Sequence, residues 1–549
     1  MKLRLAGLGV VLPALFAGLV ATAQSQQSPV TPPQSTQSQA APPSSNARTI
    51  KVTSSLVFLD VTVLDKKGRP VTTGLTKDDF TITEDSSPQN IFSFEAPEVH
   101  AAAGSSEGDS PNGKAPATML VLDQLNSRFD DFAYIRYEAK QFLKAQPARL
   151  SSPTELLIVG SESLEMLQSY TRNRSELLDA LDHARSVIPY KQMSGSFSPE
   201  RFVQSLAALD EIALQNRGVP GRKNIVWMGH GGPSLFLTTT GLSPKMIDVL
   251  KNYEHSTTNM LVDARISLFV IFPGLRVEPN RILPITAQQS LIEIGDDPFE
   301  GDINFGLFSN ETGGNVFYNR NDLKGAIEDS KSWGSNYYTL TYQPKNIDQD
   351  GKFRRIRVTL RNPNLRVVTK AGYYAPDANA PIDPQQQKML RLAEATGSTI
   401  PFDALGVNLS DVVRNPKSRS AEFNVSLKSR NLTFEPADNG TSTAHLIVAA
   451  ASLDQFGNIL ASRTQQITLV SHSLNPTHLP ETASKFPLNV PVPRKTQRIR
   501  VAIQTDDSGG RIGSAELDRQ AIETAPEFAA PKTQDQHQPV KGENGFLHP

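Results

Sequence analysis

Three side chains that carry oxygen atoms follow directly on an apolar run. The run is Met119–Leu122, and Asp123, Asn126 and Ser127 come within the next five residues. An unbroken apolar run is typical of a strand that is buried on both faces in the middle of a parallel sheet. Ligands of open α/β sheets bind beyond the carboxyl ends of such strands. The spacing therefore predicts a ligand-binding site at Asp123, Asn126 and Ser127.

Other motifs that could carry chemistry lack the context they need. Gly104–Gly108 matches the Gly-x-Ser-x-Gly nucleophile elbow, but it lies in the Ala/Gly/Ser-rich stretch His100–Pro116, without a strand before it or a helix after it. Asp296–Asp302 is acidic but lacks the oxygen spacing of an EF-hand loop, so a solvated surface loop is the better interpretation. Because no acid, base and nucleophile come together, we expect a protein without enzymatic activity.

Composition excludes several classes of protein. At roughly 100–200 residues per domain, 549 residues predict three domains plus tails. A formal net charge of −1 gives no electrostatic footprint for nucleic acid or an anionic membrane. The absence of cysteine excludes disulfides, thiolate metal sites and cysteine nucleophiles.

The first residues have the pattern of a signal peptide, 1–23. Lys2 and Arg4 precede the apolar stretch Leu5–Val20, and Ala21–Ala23 supplies the small residues of a cleavage site. A retained membrane anchor is the alternative, although the apolar stretch is short. We expect an exported protein, periplasmic or extracellular, with no membrane span after cleavage.

The elements that position the site come from the alternation of strands and helices. Over 117–335 this alternation predicts an α/β fold with a doubly wound, mostly parallel sheet. The strands predicted over 336–376 either extend that sheet or pair with an N-terminal β module. In the second case the α/β domain is an insert. The alternative to an insert is a series of separate domains that follow one another along the chain. The expected divisions are a disordered linker 24–48, a small β module 49–96, a linker 97–116, the α/β domain 117–335, a β extension 336–376, a linker with a short helix 377–420, a β-sandwich-like domain 421–524 and a disordered tail 525–549.

Several segments carry a likeness to a known family. They are Val61–Val71, Leu75–Phe80, Glu84-Asp85, Thr312–Tyr318, Tyr337–Tyr342, Phe353–Val358 and Ala371–Pro376. With the strand and helix order of 117–335, they make the chain resemble the von Willebrand factor type A fold, in the exported "von Willebrand factor type A related" branch typical of acidobacteria. The likeness covers residues from about 50 to 376.

The resemblance implies a metal site. Type A domains hold one divalent cation through an Asp-x-Ser-x-Ser motif, a threonine and a later aspartate, because Mg²⁺ prefers hard oxygen ligands. Asp123 and Ser127 match the first and third positions, whereas Leu125 replaces the middle serine and Gly229–Gly231 stands where the aspartate is usual. The resemblance thus implies one Mg²⁺ or Mn²⁺ ion at Asp123 and Ser127. The alternative is that Asp123 caps the following helix.

From these features we expect an exported, non-enzymatic binding or adhesion protein whose partner is a protein or a cell-surface ligand. Its contact surface would be the crest residues, defined as Asp123, Asn126, Ser127, His230 and Gly231. The alternative is a structural component of the cell envelope, in which the β modules assemble by strand addition and the metal site is vestigial.

Overall fold

The computed structural model describes residues 56–100, 115–127, 129–160, 163–184, 198–232, 235–236, 243–273, 302–303, 305–318, 322–378, 384–428, 431–437, 441–471, 484–507 and 509–527. The predicted signal peptide 1–23 and linker 24–48 lie outside the described residues. So do residues 101–114 of the predicted linker 97–116 and residues 528–549 of the predicted tail.

The strands are numbered in chain order. They are β1 Val57–Leu64, β2 Phe80–Glu84, β3 Ser87–Gln89, β4 Ile91–Glu95, β5 Ala117–Asp123, β6 Arg149–Val159, β7 Leu164–Asn173, β8 Lys223–Met228, β9 Leu235–Phe236, β10 Ile266–Ile271, β11 Asp302–Ile303, β12 Asn315–Phe317, β13 Tyr338–Tyr342, β14 Phe353–Leu360, β15 Arg366–Val368, β16 Gly372–Tyr374, β17 Asn408–Asn415, β18 Ser420–Leu427, β19 Glu435–Pro436, β20 Ser442–Leu453, β21 Ile459–Ser471, β22 Ser484–Pro491, β23 Arg498–Thr505 and β24 Ile512–Asp518.

The helices are numbered in the same way. They are α1 Phe129–Ala145, α2 Arg174–His183, α3 Ser198–Gln215, α4 Pro244–Asp263, α5 Phe305–Glu311, α6 Leu323–Ser335, α7 Pro384–Gly397 and α8 Arg519–Thr524. Within the part of the chain that the structure describes, none of the helices combines the length and the apolar character that crossing a membrane requires.

A six-stranded sheet with the order β12-β10-β8-β5-β6-β7 lies at the centre of the α/β part. Its strands run parallel except for β7, which is antiparallel to β6. All seven residues of β5 are buried, with Met119 and Val121 in the core beneath α3, α4 and α5, and Leu120 and Leu122 in the core beneath α1, α2 and α6. The unbroken apolar run thus has helices on both faces, which is the physical basis of such a pattern.

The strands before and after the α/β part pair with one another. β1 pairs antiparallel with β13 and β15, and β13 with β4; β14 pairs antiparallel with β2 and β16, and β2 with β3. A separate core that includes Leu59, Val61, Phe80 and Leu340 lies between these two antiparallel sheets. The α/β part is therefore inserted between two halves of a β layer, which is one of the arrangements that the sequence left open.

The C-terminal strands form two further antiparallel sheets. One has the order β17-β18-β22, and the other has the order β19-β20-β23-β24 with β21 beside β20. Leu446 and Val448 of β20 lie in the core between these sheets, whereas Ile447 belongs to the α/β core. The larger sheet therefore has a core on each face. The chain as a whole combines one mostly parallel six-stranded sheet with several antiparallel sheets.

The stretch 377–420, which the sequence assigned to a linker with a short helix, contains more structure than that. Helix α7 has 14 residues and begins at Pro384, a residue that suits the first turn of a helix because its missing N–H has no intrahelical partner there. Leu392 of α7, together with Ile400 and Phe402 just after it, is buried in the α/β core. Strand β17 also falls within this stretch, so the C-terminal β structure begins earlier than residue 421.

Candidate functional site

Asp123 is the last residue of β5 and is 0% exposed. Its Oδ1 accepts hydrogen bonds from the Asn126 backbone N–H at 2.9 Å and from Asn126 Nδ2 at 3.2 Å. Its Oδ2 accepts from Trp227 Nε1 at 3.1 Å and from the Gly231 backbone N–H at 2.8 Å. Both carboxylate oxygens are therefore occupied by N–H donors, and the side chain joins the loop after β5 to the loop after β8.

The glycines of the second loop allow this close approach. Gly229 has φ +149° and Gly231 has φ +65°, in the region that favours glycine. A Cβ on Gly229 would lie 2.3 Å from Asp123 Cβ, and a Cβ on Gly231 would lie 2.2 Å from Phe305 Cδ1. Larger residues at either position would push the loop away from Asp123, so the Gly-His-Gly sequence is explained by the hydrogen bond to Gly231.

Burial raises the pKa of Asp123 above its ordinary value. The hydrogen bonds from Asn126, Trp227 and Gly231, and the nearby His230, act in the opposite direction. Because every one of the hydrogen bonds is donated by nitrogen, the oxygens act only as acceptors, which is the role of a carboxylate. Asp123 is thus a buried acceptor at the centre of the crest.

A divalent cation does not fit this arrangement. The N–H groups of Trp227 and Gly231 point at Oδ2, and that of Asn126 points at Oδ1, so hydrogen atoms occupy the positions that a cation would need. Ser127 is buried too. In the described ranges, no group of three or more His, Asp or Glu side chains is arranged to hold a metal ion. The geometry therefore speaks against the Mg²⁺ or Mn²⁺ ion expected at Asp123 and Ser127.

The amide nitrogen of Asn126 is turned into the protein. Its Nδ2 donates to Ser205 Oγ of α3 at 3.0 Å, and Ser205 Oγ donates in turn to the Arg201 backbone oxygen at 2.9 Å. With its Nδ2 also bonded to Asp123, Asn126 ties the end of β5 to α3. The structure thus brings Asp123, Asn126 and Gly231 together as a buried hydrogen-bond network.

The accessible part of this edge is a different set of residues, the crest rim, defined as Phe129, Asp131 and His230. His230 Nε2 lies 3.4 Å from Asp131 Oδ2, and both side chains are partly exposed. Phe129, the first residue of α1, is 54% exposed. The accessible groups at this edge of the sheet are therefore a carboxylate, an imidazole and a phenyl ring.

An aromatic pair lies behind the rim. Phe272 and Tyr318 stack with ring centroids 4.7 Å apart and planes inclined by 14°, and the His230 ring lies 5.9 Å from that of Phe272. Burial raises the pKa of Tyr318 to about 12, so its hydroxyl remains protonated at neutral pH. The stack supports one side of the His230 ring.

Sequence reasoning missed Trp227, Phe129 and Asp131. A usable signal existed for Trp227, because an indole N–H in a buried strand needs an acceptor nearby. Phe129 and Asp131 lie in the first turn of α1, which follows β5. They therefore lie at the same edge of the sheet as Asp123.

Comparisons with known proteins add little. No family model matches the chain, and neither does any curated protein. The solved structure of a glycosyl hydrolase family 2 member from Bacteroides cellulosilyticus DSM 14838 is similar over 33% of this chain and 20% of its own, at 10% identity and a TM-score of 0.14. The chain thus spans about a fifth of the length of this solved structure.

One expectation is corrected by this comparison. The sequence led us to expect a protein without enzymatic activity, whereas this solved structure, one of those that the chain matches, is that of an enzyme. We therefore do not retain the expectation that the protein lacks catalysis. A likeness with a TM-score of 0.14 carries no argument for a particular reaction either.

Proposed function

We propose that the protein is an exported binding protein, in which an α/β domain of the von Willebrand factor type A kind engages a protein or a cell-surface ligand at its crest. The single observation that carries the proposal is the His230–Asp131 pair, which is partly exposed at the crest, with the exposed Phe129 in the first turn of the same helix as Asp131. Binding sites of open α/β sheets lie at this edge. Export, and a periplasmic or extracellular location, are part of the proposal. Both rest on the signal-peptide pattern of residues 1–23.

The chemistry of the rim favours binding without a metal ion. An exposed aromatic ring supplies apolar contact area, and aromatic residues are enriched among those that dominate binding energy. The His230–Asp131 pair supplies a donor and an acceptor for polar groups of a partner. Since the buried crest residues hold the two loops in place, the rim is presented on a fixed base.

The test uses the full-length protein, labelled with a fluorophore and titrated onto cell envelopes isolated from the producing organism. We expect saturable binding, and an affinity at least about tenfold lower for the double variant Phe129→Ala/His230→Ala. Tyr137→Ala is the matched control, because Tyr137 lies on the same helix and is 57% exposed. Equal affinities for the double variant and the control would contradict the proposal.

A second candidate function, a structural component of the envelope, is favoured by strand β21. It has 13 residues and, among the described strands, pairs only with β20. Ile459 and Val470 of this strand are exposed hydrophobic residues. A long edge strand of this kind can accept another strand.

Charge substitutions separate the two candidates. Ile459→Lys/Val470→Lys would abolish retention of the protein in washed envelopes if β21 assembles with a partner strand, because lysine at an edge opposes pairing. Phe456→Lys, at the exposed turn before β21, is the control. Retention that survives the β21 variant but is lost with Phe129→Ala/His230→Ala would leave the crest rim as the binding surface.

A further inference from the structure

Three turns lie together at one end of the C-terminal β structure. The Val492 backbone N–H donates to the Arg419 backbone oxygen at 2.6 Å, and the Gln497 N–H donates to the Leu453 oxygen at 2.8 Å. These bonds and the pairing of the strands bring separate segments to one surface. The turns are 416–419 between β17 and β18, 454–458 between β20 and β21, and 492–497 between β22 and β23. With Arg498, the first residue of β23, they form a surface that we call the sandwich tip.

The sandwich tip is rich in basic side chains. It carries Lys417, Arg419, Arg494, Lys495 and Arg498, of which the first four are exposed. None of the five forms an ion pair with a residue that the structure describes. The formal net charge of −1 for the whole chain gives no sign of this cluster, because the fold assembles it from segments that are far apart in the sequence.

The acidic side chains at the same end are bonded within the protein. Asp518 at the end of β24 accepts from the Ala521 backbone N–H at 2.7 Å and so caps α8. Glu523 of α8 pairs with Arg519 at 2.7 Å. The one carboxylate of the three turns, Asp454, accepts from backbone N–H groups of its own turn. The sandwich tip therefore keeps an excess of positive charge.

Phe456 stands in the middle of the turn 454–458, and its side chain is 78% exposed. Asp454 Oδ1 accepts from the Phe456 N–H at 2.8 Å and from the Asn458 N–H at 2.9 Å. A Cβ on Gly457 would lie 3.8 Å from Arg498 Nη2, so a guanidinium lies beside the turn. The turn thus holds an exposed phenyl ring next to the basic cluster.

The geometry of this turn does not require an aromatic ring. The turn at Asp65 has the same hydrogen bonds, because Asp65 Oδ1 accepts from the N–H groups of Lys67 at 2.8 Å and Arg69 at 2.9 Å. Lys67 occupies the position that Phe456 has in the second turn, and it is exposed as well. Since lysine is accommodated equally well, the local fold does not explain the ring of Phe456.

We propose that the sandwich tip attaches the protein reversibly to a membrane surface that contains anionic phospholipids. The basic side chains would approach the headgroup phosphates, and Phe456 would enter the boundary between headgroups and acyl chains. A ring on the outside of a turn can be buried in a soft lipid phase, whereas a protein partner would need a matching pocket. Basic residues next to an exposed aromatic ring are the combination found in segments that lie at membrane interfaces.

This surface is separate from the crest and does not depend on the function proposed for the crest. Attachment through charges at an exposed surface weakens as salt screens them. A salt wash therefore removes it, whereas strand addition at β21 would persist.

Sedimentation of the full-length protein with vesicles tests the proposal. The vesicles are phosphatidylcholine alone, or phosphatidylcholine and phosphatidylglycerol at about 7:3. We expect saturable binding that requires phosphatidylglycerol and weakens at least about fivefold between about 0.05 M and about 0.5 M NaCl. Any contribution of residues 1–23 is common to every variant.

Two variants separate charge from insertion. Arg494→Gln/Lys495→Gln should lower the affinity for the anionic vesicles at least about tenfold, and Phe456→Ser at least about threefold. Lys66→Gln/Lys67→Gln is the matched control, because it makes the same change of charge at the turn that begins with Asp65. That variant should bind like the wild type.

A second measurement is confined to the turn itself. The tryptophan emission of Phe456→Trp should shift to shorter wavelength when anionic vesicles are added, and lipids with brominated acyl chains should quench it. Phe92→Trp is the control, because Phe92 lies on β4 and is 74% exposed. Its emission should not change.

Absence of binding by the wild type to anionic vesicles would overturn the proposal. So would equal binding by Arg494→Gln/Lys495→Gln, or an emission of Phe456→Trp that the vesicles do not alter. Undiminished binding by Phe456→Ser would leave only an attraction to polyanions of any kind, including acidic proteins, and would overturn the assignment to a membrane.

Discussion

Trp227 Nε1 donates a hydrogen bond of 3.1 Å to Asp123 Oδ2 across the two central strands of the six-stranded sheet. In the register of β5 and β8, Trp227 stands opposite Val121, so the indole reaches two residues along the neighbouring strand to Asp123. The carboxylate at the crest is therefore held from below by a core side chain as well as from above by Gly231. This pairing makes Asp123 a part of the core.

Asp123→Ala should lower the free energy of unfolding by about 3 kcal/mol, because it leaves the N–H groups of Asn126, Trp227 and Gly231 buried without an acceptor. Urea denaturation followed by tryptophan fluorescence measures this. Asp131→Ala, at the partly exposed rim, is the control and should cost no more than about 0.5 kcal/mol. Equal losses for the two variants would mean that the buried network does not stabilise the protein.

Divalent cations should leave the stability of the protein unchanged. Because N–H donors occupy both oxygens of Asp123, we expect millimolar Mg²⁺ or Mn²⁺, or a chelator, to shift the melting temperature by less than about 1 °C. Differential scanning calorimetry with and without each cation is the measurement. A saturable rise in melting temperature that disappears in Asp123→Ala would restore the metal site implied by the family resemblance.

Gly231→Ala should be destabilising by about 2–3 kcal/mol, since the new Cβ would lie 2.2 Å from Phe305 Cδ1 and φ is +65°. Gly397→Ala is the matched control. A Cβ at Gly397 meets nothing within 4 Å, and alanine favours the end of α7, so that variant should be neutral or slightly more stable. The measurement is the melting temperature of both variants. Equal melting temperatures would show that the crest loop accommodates the added Cβ at little cost in stability.

Stability should fall as pH rises from about 4.5 to about 8, in part through Glu155. This side chain is 0% exposed, and its Oε1 accepts from Gln215 Nε2 at 3.0 Å. Burial raises its pKa from 4.5 to about 8, so within that interval the folded state keeps a proton that the unfolded state releases. The contribution of Glu155 to the free energy of unfolding is fully present below pH 4.5 and is lost by pH 8. The loss is about 1 kcal/mol per pH unit or less.

The variant Glu155→Gln isolates this effect, because its amide oxygen can still accept the hydrogen bond from Gln215 Nε2 and the titrating group is removed. Denaturant unfolding at several pH values should give a flatter dependence for Glu155→Gln than for the wild type. Glu422→Gln, at an exposed residue of β18, should leave the dependence unchanged. The same slope in all three proteins would show that Glu155 does not carry it.

The local features of the fold were accessible from the sequence. Met119–Leu122 indicated a strand covered on both faces, because a solvent face would have imposed alternation. The pattern Asp-x-x-Gly, typical of turns, occurs at Asp65 and again at Asp454, and at both positions Oδ1 accepts from the backbone N–H groups two and four residues ahead. In both cases the information lies within a few neighbouring residues.

What the sequence could not provide depends on contacts between distant segments. The β20 strand was expected to have one face in a sandwich core, but Ile447 on its other face is buried in the α/β core, which no local pattern reveals. Likewise, the acceptor role of Asp123 follows from Trp227 and Gly231, which are more than a hundred residues away. The family resemblance implied a ligand set, and only the direction of those N–H groups shows why a cation does not fit.

The insertion of the α/β part between two halves of a β layer sets the order in which the chain can fold. Asp60 of β1 is hydrogen bonded to Thr339 of β13, 279 residues later, so β1 has no partner strand until β13 has been synthesised. At roughly 5–20 residues per second this wait lasts about 15–60 s. Until then Val57, Leu59 and Val61 lack the core that buries them in the folded protein, and an unpaired strand with exposed apolar side chains is prone to aggregation.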